Sequence, residues 1–320
     1  MSRHLVDPEL AVGLDTNMPA QVLDAQHLPR YRQMLLDMVA AIPKPTSVAM
    51  QNVQRDERRI PGPEGAPDVR VLVYTPGDRG ADPLPAILHI HGGGFVSGSA
   101  DMSDPNSRSY AVDMNCVVVS VDYRLAPETP FPGPVEDCYA ALLWLHTAAG
   151  ELGIDAKRIM VAGESAGAGL AAALCQLARN RGGVRPFFQY LAEPMLDHRS
   201  ADSDHPHVGH FGWTREHNRF GWAAMIGEKC AEPVPAHCSP ALADDLSGLP
   251  ATFIHIGAID LFLEESLDYA RRLTRAGLSV ELHVWPGAFH AFGSTDCHVT
   301  REARRVARTA IKRALHGNAA

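Results

Sequence analysis

No stretch of this chain is apolar for long enough to cross a bilayer, which takes about 20 consecutive apolar residues. A basic surplus is missing too: 29 Lys and Arg face 37 Asp and Glu, a formal charge of −8. Phosphate binding needs a concentrated basic surface, so neither nucleic acid nor a membrane is expected as a partner. The one basic stretch, 301–313, carries Val306, Ala310 and Ile311 at helical spacing and reads as the solvated face of a terminal helix. Six cysteines occur without a C-x-x-C pair, and Cys116 and Cys175 sit in apolar segments as small core residues. Asp7 and Glu9 stand where a signal peptide would carry basic and then apolar residues. Free thiols in a reducing cytoplasm are therefore the expectation. Internal repeats and low-complexity tracts are absent. What is left is a globular composition, 46% apolar over 320 residues, able to bury a large core in a single α/β domain.

The most informative residues present are Gly163-Glu164-Ser165-Ala166-Gly167, a G-x-S-x-G pattern. An apolar β-prone run precedes it at 158–162. An Ala/Leu-rich helical segment follows at 166–179, with Leu170, Leu174 and Leu177 on one face. Glycine on both sides lets the chain turn sharply from strand to helix. Ser165 then sits at a helix N-terminus, where free amides favour developing negative charge. Five-residue patterns also recur by chance, so partners are required.

One partner is His91-Gly92-Gly93-Gly94-Phe95, directly after the short apolar run 86–90. Linkers do not follow buried strands and lead into Phe95 and Val96. Bare backbone at Gly93 and Gly94, with the Ala166 amide, supplies candidate oxyanion donors, worth ~3–4 kcal/mol each in such sites.

The other partners are sought by chain order, Ser, then Asp or Glu, then His. Asp260 follows a strand at 251–256, and His290 follows a strand at 279–284 and a loop containing Gly287. Both lie past strand C-termini, where a parallel sheet presents its ligands. Among sixteen histidines only His290 has that setting; His255 and His283 lie inside strands and read as packing residues. Glu264 and Glu265 open the next helix, and Asp197 is a lesser rival for the acid.

From residue 69 onward strands alternate with helices: strands at 69–75, 86–90, 116–121, 159–162, 187–191, 252–256 and 280–284, and a helix at 134–149. This predicts a mostly parallel twisted sheet with helices on both faces. Residues 198–238 break the rhythm. Among their histidines, His198, His205, His207, His210 and His217 match no zinc spacing, and no metal or cofactor is expected. Their aromatics, Phe211, Trp213, Phe220 and Trp222, together with Phe95, suggest a cap walling an apolar substrate pocket. A helix at 28–42, with Met34, Leu35, Met38, Val39 and Ile42, joins that cap or packs on the core.

These motifs, with Tyr123-Arg124-Leu125-Ala126-Pro127-Glu128, Phe131-Pro132, Asp137 and Trp144, resemble the hormone-sensitive-lipase-like branch of the α/β-hydrolases, the bacterial family IV esterases. The likeness runs over about 67–315 and is weakest at 198–238; residues 121–145 are most similar to the heroin-esterase subgroup. Glu164 departs from the usual Asp or Thr, and Leu261 from the Pro that usually follows the acid. The resemblance implies an α/β-hydrolase fold whose helical cap is built from about 1–47 and about 198–238. It implies a carboxylesterase for short- to medium-chain acyl or aryl esters, with a Ser165–His290–Asp260 triad and no cofactor, and often a homodimer. Triad chemistry also admits amide or acetyl-ester deacetylation and lactone opening. A binding protein on the same scaffold, as in the gibberellin receptors, lacks the triad histidine that is present here as His290.

Overall fold

A computed structural model describes residues 2–16, 22–45 and 47–317. Among these, one eight-stranded sheet runs in the order β1-β2-β4-β3-β5-β6-β7-β8. The strands are β1 (Gln54–Ile60), β2 (Val69–Thr75), β3 (Leu84–Ile90), β4 (Val117–Asp122), β5 (Ile154–Glu164), β6 (Phe188–Ala192), β7 (Ala251–Gly257) and β8 (Val280–Trp285). β2 is antiparallel to both β1 and β4, whereas β4, β3, β5, β6, β7 and β8 pair in parallel. The helices are α1 (Pro8–Thr16), α2 (Leu28–Ala40), α3 (Val48–Gln51), α4 (Asp104–Asp113), α5 (Gly133–Thr147), α6 (Ala149–Leu152), α7 (Ala166–Arg181), α8 (Arg215–Ile226), α9 (Leu263–Arg275) and α10 (His298–His316).

The inner parallel strands read as near-continuous apolar runs because helices cover both faces, whereas β8 at the sheet edge alternates and is only half-buried. Every residue of β3 is buried, and α5 and α7 pack on one face while α4 and α10 pack on the other. Strand and helix positions agree with the expected alternation to within a few residues, except for β1. That strand, Gln-Arg-Asp-Glu-Arg-Arg-Ile, buries only Ile60 and offers no apolar alternation to read. Its register is set by pairing with β2, from Gln54 opposite Thr75 to Ile60 opposite Val69.

The two expected cap segments meet at the strand C-termini. Ser2 bonds His207 Nδ1 through its hydroxyl at 3.0 Å and donates its amide to His210 Nδ1 at 3.3 Å. On α2, Arg32 donates to the carbonyls of Val96 and Ala126 and pairs with Glu128 through both guanidinium nitrogens. The outer side of α2 stays open: Leu36 and Met38 are more than half exposed, so Met38 does not belong to the buried core. No helix among the described residues is long and apolar enough to cross a membrane, and all six cysteines are free.

Candidate active site

The geometry at Ser165, the candidate nucleophile, follows from how little room the strand-to-helix turn has. β5 ends at Glu164 and α7 begins at Ala166, so Ser165 alone makes the reversal, at φ 54° and ψ −121°. A side chain in that region is strained and persists only where its surroundings over-determine it. Here they do. The Ser165 amide donates to Ala192 O at 2.8 Å, and its carbonyl accepts from the amides of Ala168, Gly169 and Met195. A Cβ on Gly163 would lie 2.4 Å from the Gly167 backbone, and one on Gly167 would lie 2.1 Å from Ile90 O. Both glycines are therefore fixed by close approach of backbone.

The candidate base and acid, His290 and Asp260, come from neighbouring strand ends. β7 ends in Gly257, whose missing Cβ leaves space for the carbonyl of Ala288 on the loop after β8. Ile259 N–H donates to that same carbonyl, stitching the two loops together. The result brings His290 Nε2 to 2.9 Å from Ser165 Oγ and His290 Nδ1 to 2.8 Å from Asp260 Oδ2. Asp260 is fully buried, and its other oxygen accepts the Phe262 amide at 2.9 Å. The Phe262 ring stands edge-on to the imidazole, 5.1 Å between centroids. Burial opposes a charged imidazolium, but the charge and hydrogen bond of Asp260 and the charge of Glu193 outweigh it and raise the His290 pKa above the ordinary histidine value.

The rival acids are engaged elsewhere. Asp197 pairs with Arg199 at 2.7 Å, Glu264 accepts from Ser203, and buried Glu265 accepts the Leu196 amide and the Ser200 hydroxyl. His255 bonds Tyr190 OH at 3.0 Å, and His283 bonds Glu281. The histidines of 198–217 bond other partners: His198 on Ser239, His207 and His210 on Ser2 with the His205 ring beside His207, and His217 against Trp213.

Gly93 and Gly94 form the turn beside Ser165, at φ 122° and 61°. Ser97 closes that turn by donating its amide and its hydroxyl to Gly93 O. His91 stacks on Tyr123 at 4.2 Å and donates its Nδ1–H to Gly92 O, while Tyr123 OH donates to His91 O. Burial lowers the His91 pKa and keeps this ring neutral. Arg124 locks onto buried Asp137 of α5 through its amide and guanidinium, which anchors the chain that supports the glycine turn. Among the described residues, no acceptor is bonded to the amides of Gly93, Gly94 or Ala166.

The aromatic residues take different places. The Trp213 indole lies against Gly94, occupying the space a Cβ there would need, and its centroid is 6.5 Å from His290. Phe95 and Trp222 are 1% and 2% exposed and pack on each other at 4.9 Å, which leaves little surface to offer a ligand. Phe211 lies 6.0 Å from the ring of Phe289, and half-buried Phe220 packs against the main core.

One carboxylate near the base escaped the sequence reading. Glu193, 8% exposed, places Oε2 3.9 Å from His290 Nδ1 and accepts the Ala291 amide at 2.8 Å. A charged residue inside the apolar run Leu191-Ala192-Glu193-Pro194-Met195-Leu196 was the available signal.

A crossover-built, mostly parallel sheet with this histidine-bonded serine at the C-terminal end of an inner strand defines a class, the hydrolases of the α/β type. The alpha/beta hydrolase fold family matches residues 87–294, and the chain belongs to that family, in its hormone-sensitive-lipase-like branch. It is 35% identical over 330 residues to the carboxylesterase NlhH of Mycobacterium tuberculosis, a match covering 99% of this chain and 98% of that protein. An arylesterase of Saccharolobus solfataricus is 31% identical over 90% of this chain and 92% of its own length. Among solved structures, a bacterial heroin esterase superposes with a TM-score of 0.91 at 39% identity, covering 99% of this chain and 100% of that one. The chain is a carboxylic-ester hydrolase.

Proposed function

We propose that hydrolysis proceeds through an acyl-enzyme on Ser165, with His290 as general base and acid and Asp260 as its orienting carboxylate. The carrying observation is the unbroken run of hydrogen bonds from Ser165 Oγ through both imidazole nitrogens to Asp260 Oδ2. His290 Nε2 takes the Ser165 proton as Oγ attacks the ester carbonyl; Asp260 holds the tautomer and stabilises the imidazolium. The unbonded amides of Gly93, Gly94 and Ala166 support an oxyanion hole on the carbonyl side. His290 then protonates the leaving alcohol and activates water for deacylation.

The substrates we assign are neutral short- to medium-chain acyl and aryl esters. Relatives named carboxylesterase and arylesterase support this. Trp213 and Phe211 would form the pocket wall, with Phe95, Trp222 and Phe220 packed behind them. Segments 1–47 and 198–238 would act as one cap in a single-domain enzyme. The free thiols favour a reducing, cytoplasmic setting, and light scattering tests the homodimer that the resemblance implies.

The test is turnover of an activated ester by Ser165→Ala and His290→Ala, with folding checked by circular dichroism. Loss of nearly all activity in both supports the assignment. Wild-type turnover in either contradicts it.

A further inference from the structure

Glu193 has no part in the steps just described, yet its position is elaborately held. It is the first residue after β6 and lies in the left-handed region at φ 48°. Its amide donates to His255 O of β7 at 2.8 Å. The residue before it accepts the Ser165 amide, and Met195 donates to the Ser165 carbonyl. The backbone around Glu193 is thus tied to the nucleophile and to the strand that carries the acid. Its side chain completes the set by reaching the loop that carries the base.

That reach ends in two contacts of different kinds. Oε2 accepts the amide of Ala291, the residue after His290, itself left-handed at φ 62°. The same oxygen stands 3.9 Å from His290 Nδ1, whose proton is already given to Asp260. The first contact is a hydrogen bond that fixes the imidazole-bearing backbone; the second is a nearby charge without a bond. Burial, then Asp260 and Glu164, raise the Glu193 pKa, while the His290 charge and the Ala291 bond lower it. The titratable groups facing this pair are Asp260, Glu164 and the Tyr190 hydroxyl.

We propose that Glu193 is a positioning residue for His290: it holds the base through the Ala291 amide and stabilises the imidazolium that forms when Ser165 loses its proton. The proposal rests on the triad reading. It explains why a carboxylate sits in an apolar strand end at a strained backbone position, where packing alone would favour an apolar side chain.

The experiment measures kcat, KM and the pH profile of kcat/KM for the full-length enzyme and its variants. Glu193→Gln keeps an acceptor for Ala291 and removes the charge. The midpoint of its rising limb is expected about one pH unit below wild type, with kcat about tenfold lower and KM within about twofold. A midpoint that stays at the wild-type value overturns the proposal. If Glu193→Gln does not fold, Glu193→Asp decides: it keeps the charge, but one methylene less breaks the Ala291 contact. A kcat loss of about fivefold or more at unchanged KM supports the proposal, and a wild-type kcat, or a change carried by KM, overturns it. Ser165→Ala, run alongside, separates the two readings. An active Ser165→Ala removes the triad itself, whereas an inactive one with an unmoved Glu193→Gln profile removes only the role of Glu193.

Discussion

Ser165 carries three constraints at once: a strained backbone, a hydrogen bond to the base and a place at the start of α7. They converge because a nucleophile must project from a sheet edge while free amides point at the same space. Removing either Ser165 or His290 should therefore cost about as much as removing both, roughly 10⁴–10⁶-fold in kcat, since the two act as a unit. Asp260→Asn should cost about 10⁴-fold by favouring the wrong tautomer, while Asp197→Asn and Glu264→Gln should leave turnover near wild type. Steady-state kinetics on these variants checks both statements. The pH profile gives an independent sign. His290 must be neutral to act as base, and its pKa is raised, so its proton persists to higher pH. The rising limb of kcat/KM should have its midpoint above the ~6.5 of an ordinary histidine, and Asp260→Asn should move it downward.

Between elements, α8 approaches the glycine turn closely. A Cβ on Gly221 of α8 would lie 2.8 Å from Gly94 O and 3.3 Å from the Trp213 ring. Gly94 already combines a left-handed φ with an indole in its Cβ position. Gly94→Ala should thus lower kcat far more than it raises KM, because it displaces a donor aimed at the transition state. Denaturant unfolding should separate buried from exposed positions: Leu88→Ala, fully buried in β3, should cost ~2–5 kcal/mol, and Leu36→Ala on the open side of α2 within ~0.5 kcal/mol. The sequence was legible at this scale wherever function or burial leaves a local mark. The turn around Ser165 needs its glycines, and the parallel strands need apolar runs, so both could be read from the residues. β1 could not, since a charged edge strand is specified by its partner β2 rather than by its own pattern. Glu193 was hidden for the same kind of reason: its role depends on Ala291, 98 residues away. The burial of Phe95 and Trp222 against each other likewise depends on a turn and a helix meeting, which periodicity does not encode.

Across the whole molecule, the ends of β5, β7 and β8 bring Ser165, Asp260 and His290 together from positions 95 and 30 residues apart. Two segments far apart in sequence are joined through Ser2 with His207 and His210. If they act as a cap, selectivity should rise by ~0.8 kcal/mol for each acyl methylene that fits and fall once the pocket is full. Trp213→Ala and Phe211→Ala should shift that optimum toward longer chains, as kcat/KM across a homologous ester series would report. An unchanged profile would assign 198–238 to packing alone. The central claim, covalent catalysis at Ser165, is tested most directly by rapid-quench kinetics with an activated aryl ester, followed by peptide mass analysis of the trapped enzyme. The account predicts a burst of about one alcohol per active site and an acyl group on the peptide containing Ser165. An acyl group on any other residue, or turnover that never passes through an acylated enzyme, would contradict it.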